Sequence, residues 1–126
     1  MAGDRILQGP GSEAPVERAF KAWLVAQGWT LVNEPGSWAD VIAKRGNERL
    51  VGEVKGYTGG NTGLDVDTMF GQLLRRMKPG AATTWAVIVP TLSLAKVLRV
   101  PIDVRRALDI KVFEVRDDDS VVEHFV

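Results

Sequence analysis

The chain contains no cysteine, one histidine and one tyrosine among 126 residues. Without cysteine there is no disulfide, no thiolate metal site and no thiol nucleophile. A single imidazole, His124, does not assemble the ligand set that zinc requires. No apolar run reaches the ~20 residues needed to span a bilayer, and the N-terminus lacks the charged-then-apolar pattern of a secretory signal. A cytoplasmic protein with no membrane partner is the expectation. An excess of charge of either sign is also missing: 16 basic and 16 acidic residues leave a net charge of zero. That counts against a strongly basic, non-specific nucleic-acid binder. Basic residues nevertheless cluster at Lys44 and Arg45, at Arg49, at Arg75, Arg76 and Lys78, and at Arg105 and Arg106. A neutral whole can still present a positive cleft.

What is present suffices for one domain with one core, since 45% of the residues are hydrophobic. Residues 1–12, with three glycines and a proline, read as a flexible lead-in to a single domain over residues 13–126. The stretch that organises that domain is 38–56, WADVIAKRGNERLVGEVKG, which reads as two short strands around a tight turn. Alternation along the second strand puts Val51, Glu53 and Lys55 on one face and Leu50, Gly52 and Val54 on the other. Asp40, on the first strand, comes close to Glu53 if the hairpin pairs in the right register. Two converging carboxylates repel unless a cation neutralises them or one takes up a proton. Hard oxygen ligands suit Mg²⁺, which takes one or two protein carboxylates and keeps several waters. An amine beside such a site can orient a water or hold a phosphate oxygen, so the group is suited to phosphodiester hydrolysis. The plainer alternative is a solvated face of paired charges.

These residues resemble the PD-(D/E)XK nuclease superfamily: Asp40 followed by Glu53-Val54-Lys55, with Ala39 where the signature has proline. The resemblance extends in element order over roughly residues 13–115. It implies a restriction-endonuclease-like fold and Mg²⁺-dependent hydrolysis of DNA, with Mn²⁺ as a substitute. Asp40 and Glu53 would bind the metal with the Val54 carbonyl, and Lys55 would position the water. A first-helix glutamate completes the metal site in the Holliday-junction-resolvase type. Glu17 matches it, on the shoulder of the apolar stripe about 20° from Leu24, with Glu13 as the other candidate and a Glu17–Lys21 ion pair as the ordinary reading. Gln72 resembles the auxiliary residue that points back at the catalytic strand. Ser37, Tyr57, Thr58, Arg75 and Arg76 are the candidate substrate contacts. A homodimer or a larger complex is the expected assembly. A non-catalytic DNA-binding or assembly subunit of the same fold is the rival reading.

The remaining elements follow from pattern. Ser12 and Pro15 open a helix with Val16, Phe20, Trp23 and Leu24 at helical spacing. Residues 29–32 form a short strand. Residues 57–67 read as a glycine-rich mobile loop bordering the substrate, and a helix capped by Asp65 or Asp67 follows, running to Lys78 and stopping at Pro79 and Gly80. Residues 85–89 are a strand buried on both faces. Residues 92–108 are helical but broken at Pro101, with Arg99, Arg105 and Arg106 as surface charges. Two strands around an acidic turn end the chain. The four tryptophans, spread over separate elements, read as core and not as a platform for bases. The fold class expected is α/β, a mixed central β-sheet flanked by helices.

Overall fold

The computed structural model describes residues 11–78 and 82–126. Helix α1 (Glu13–Ala26) leads into strands β1 (Thr30–Leu31), β2 (Val41–Arg45) and β3 (Glu48–Val54). Helix α2 (Thr62–Arg76) then crosses to β4 (Thr84–Pro90). Helices α3 (Thr91–Val97) and α4 (Ile102–Ala107) cross to β5 (Ile110–Val115), and β6 (Val121–His124) follows. The six strands form one sheet in the order β1-β2-β3-β4-β5-β6. β3, β4 and β5 run parallel, and the flanking pairs are antiparallel. This is the expected mixed sheet between helices. The lead-in expected over residues 1–12 lies outside the described residues except for Gly11 and Ser12, as does the helix stop expected at Pro79 and Gly80.

Strand alternation divides the interior in two. Leu50, Val54, Ala86, Ile88 and Phe113 pack on one face against Val16, Phe20 and Leu24 of α1. Val51, Val87, Val89 and Val112 pack on the other against Val66, Met69, Phe70 and Leu73 of α2. Each helix lays one apolar stripe on the sheet. β4 is buried along both faces, as its unbroken apolar run requires.

Four expectations need correction. The segment read as a loop over 57–67 is helical from Thr62, with Asn61 at the cap position. Gly63 and two aspartates masked a helix that tertiary burial of Val66 and Met69 sustains. α2 also ends at Arg76, short of Lys78. Arg105 is not a surface charge: it is 1% exposed, donating from Nε to the Val100 carbonyl at 3.0 Å and from Nη2 to the Val126 carbonyl. Backbone carbonyls satisfy the buried guanidinium there. Finally, Trp38 is 84% exposed, whereas Trp29 and Trp85 are buried and Trp23 is partly buried against the core.

Candidate active site

The hairpin register places the acids. Val41 pairs with Gly52, so Asp40 arrives at the Glu53 end of β3. There the Asp40 carboxylate accepts a hydrogen bond from the Val54 N–H at 2.8 Å. Gly52 packs under this point: a Cβ on it would lie 2.8 Å from the Ile88 side chain. Gly56, just past the strand, lets the N-terminus of α1 approach. A Cβ on Gly56 would lie 2.2 Å from the Glu13 nitrogen, a distance no side chain tolerates. The Tyr57 N–H donates to the Gly11 carbonyl at 2.7 Å and holds the two segments together.

That approach brings α1 acids to Asp40. One carboxylate oxygen each from Glu13, Glu17 and Asp40 lies within 4.8 Å of the others. Burial, then the neighbouring Asp40 charge, raises the Glu13 pKa above its ordinary value, while the Lys55 ammonium opposes the rise. Glu17 also pairs with Lys21 at 2.8 Å, so the ordinary reading of this residue and its place in the acid cluster hold together. Lys55 has no ion-pair partner among the described residues. Its backbone N–H extends the sheet by donating to the Ile88 carbonyl at 3.1 Å. Three carboxylates this close are a donor set suited to a hard divalent cation.

Glu53 lies beside Asp40 and meets α2. It is 3% exposed and its carboxylate pairs with Arg76 Nε from α2. Burial pushes its pKa up to about 7; the Arg76 hydrogen bond pulls it down and the nearby Asp40 carboxylate pushes it further up. Arg76 Nη2 also donates to the Trp38 carbonyl at 3.0 Å. The pattern of the sequence holds both residues, but nothing in it announces a pairing across 23 positions. Gln72 lies half-buried one turn before Arg76 on the same helix. The Val54 side chain is buried in the core.

Two clefts flank this site. One, of about 590 Å³, is lined by Arg49, Arg75, Arg76 and Lys78 together with Glu34 and Ser37. The other, of about 460 Å³, is lined by Lys21, Asn33, Ser37 and Asp40. Glu34, Pro35 and Ser37 line both, so the segment leading to Asp40 is the wall between them. Arg49 is paired with Glu34 and also donates to Thr83 at 3.0 Å. Thr58 is exposed and bonds Asp65 at 3.1 Å, and Tyr57 is 38% exposed.

The fold is shared with solved structures. A FdxN element excision controlling factor protein from Anabaena variabilis superposes with a TM-score of 0.60, and an XisH family protein from Nostoc punctiforme PCC 73102 with 0.54. Each is 18% identical, over 85% of this chain and 95% of the other. The shared architecture is an α/β fold, a mixed six-stranded sheet flanked by helices. No family profile matches the chain, and no curated protein does. No helix among the described residues is long and apolar enough to cross a membrane.

Proposed function

We propose that this protein hydrolyses DNA phosphodiester bonds with a divalent metal, Mg²⁺ or in its place Mn²⁺. The observation that supports this best is the convergence of Glu13, Glu17 and Asp40 within 4.8 Å, with the Lys55 ammonium close enough to act on the Glu13 carboxylate. Asp40, Glu17 and Glu13 would hold the ion, and Glu53 and the Val54 carbonyl border the same end of β3. When bound, the ion supplies charge stabilisation on the phosphate and a more acidic water. Lys55 orients the attacking water or a phosphate oxygen through its ammonium protons. Gln72 fixes Lys55 or the water from α2. The hydrogen bond from Val54 N–H holds Asp40 in one orientation, so the carboxylate is positioned before substrate arrives. Arg75 and Arg76 take phosphate oxygens, with Ser37, Tyr57 and Thr58 as the polar contacts around them. The Anabaena structure is named for control of element excision, in keeping with a DNA partner. A second copy or a larger complex would complete the substrate surface.

A second reading has its own observation. Arg76 engages Glu53, which leaves one expected metal ligand occupied by an ion pair. A non-catalytic DNA-binding or assembly subunit of the same fold would keep that pair permanently. Cleavage of labelled linear, circular, single-stranded and branched DNA with Mg²⁺ or Mn²⁺, comparing wild type with Lys55→Ala, separates the two. Metal-dependent cutting that disappears in the variant is expected. Binding without cutting by the wild type favours the subunit reading.

A further inference from the structure

Among the exposed apolar side chains, one belongs to the segment that leads into Asp40. Trp38 is 84% exposed, and tryptophan is enriched where proteins meet their partners. Its backbone is fixed. Arg76 Nη2 donates to its carbonyl at 3.0 Å, the Ser37 N–H donates to the Glu34 carbonyl at 3.0 Å, and the Ala39 N–H donates to Ser37 Oγ at 3.4 Å. Asp40 follows two residues on. Two residues of chain span at most ~7 Å, so the Trp38 backbone lies next to the acid cluster. The adjoining cleft brings four cations: Arg49 and Arg76 are neutralised by Glu34 and Glu53, while Arg75 and Lys78 have no ion pair among the described residues. An aromatic side chain near positive charge matches the chemistry of a nucleic-acid strand, whose bases stack and whose phosphates pair. It does not match an apolar protein surface, which the charges of Arg75 and Lys78 would oppose.

We propose that Trp38 stacks on an unpaired nucleobase close to the scissile phosphate, so that single-stranded or locally unpaired DNA is the preferred substrate. The inference rests on the phosphodiester-hydrolysis reading and adds the form of the DNA. Within a duplex, both faces of an interior base are covered by its neighbours, and an exposed face exists only where the base is unpaired or flipped out. Phosphates track through Arg75 and Lys78, the strand passes over the wall, and the indole takes the base before the chain reaches Asp40.

The test is equilibrium binding, by fluorescence anisotropy with Ca²⁺ present, of a labelled single strand and of its duplex. Wild type, Trp38→Ala and Trp38→Phe are compared over a range of salt. Trp38→Ala is expected to weaken single-strand binding about 5- to 150-fold while leaving duplex binding and the salt slope unchanged, because an indole neutralises no phosphate. Trp38→Phe keeps most of the affinity. Arg75→Ala or Lys78→Ala lowers the salt slope by about one for each phosphate no longer neutralised. Equal weakening on both DNAs, or none on either, overturns the platform. So does a wild-type dimer that Trp38→Ala dissociates with DNA binding intact, which assigns the indole to a protein contact. If wild type cuts DNA in a Lys55-dependent way with no effect of Trp38, only the platform falls. If wild type neither binds nor cuts DNA, the hydrolase reading falls with it.

Discussion

Replacing Arg76 by methionine tests the energetics of the site most directly. The substitution keeps the unbranched stem and helix propensity of the side chain but removes the cation that meets the buried Glu53 carboxylate. In the wild type the Glu53 pKa is raised from 4.5 to about 7. Between those values the folded protein holds a proton that the unfolded chain releases. Ionising Glu53 therefore costs native stability as pH rises through this window, on the order of 3 kcal/mol in all. Arg76 limits that cost, and without it the Glu53 pKa climbs further. At about pH 5, where Glu53 is protonated in both proteins, Arg76→Met should lose only ordinary hydrogen bonds, to the Glu53 carboxyl and to the Trp38 carbonyl, about 1 kcal/mol each. At about pH 9 the ionised carboxylate has no cation beside it, and the loss should approach about 3–5 kcal/mol. Urea denaturation of both proteins at each pH measures the difference, and groups that titrate identically in the two cancel. Glu53→Gln combined with Arg76→Met should restore most of the stability at the higher pH. A loss that is the same at both pH values, or a double variant no more stable than the single one, refutes the account.

Two further variants probe the acid cluster. Asp40→Ala leaves the Val54 N–H without its acceptor, costing about 1–3 kcal/mol, and should abolish Mg²⁺ binding in a calorimetric titration; undiminished binding would remove Asp40 from the site. Gly56→Ala drives a methyl into the α1 backbone at Glu13, so a loss of about 1–3 kcal/mol or more is expected, together with weaker metal uptake. A variant that melts and binds metal like the wild type would show that the close approach is unimportant.

Much of the fold is legible because its signals are local. The hairpin turn at Gly46 and Asn47, the apolar run of β4 and the break at Pro101 each sit in a few neighbouring residues. The closeness of Asp40 to Glu53 is legible for the same reason, since one hairpin register brings Asp40 to the Glu53 end of β3. What hides is set at long range. The pairing of Glu53 with Arg76 depends on how α2 lies across the sheet. Helical spacing alone leaves Glu13 and Glu17 as alternatives for one role, and docking at Gly56 brings both to Asp40. The start of α2 is obscured because glycine and aspartate suggest a turn, and the packing of Val66 and Met69 outweighs that preference. Composition counts four tryptophans but cannot say that one is left in water.

The strand order has a consequence for how the molecule is made. Because spatial order follows chain order, the sheet can grow by adding each new strand to its most recent edge, and few long closures must precede favourable contacts. The two parallel crossovers are the exceptions, with all of α2 between β3 and β4 and both α3 and α4 between β4 and β5. During synthesis, α1 and the hairpin emerge first and can draw Glu13, Glu17 and Asp40 together. β3 then waits with its second edge unpaired until the buried strand beside it is complete. That interval exposes a flat, apolar strand to self-association, and it is where crowding or a slow ribosome should most affect yield.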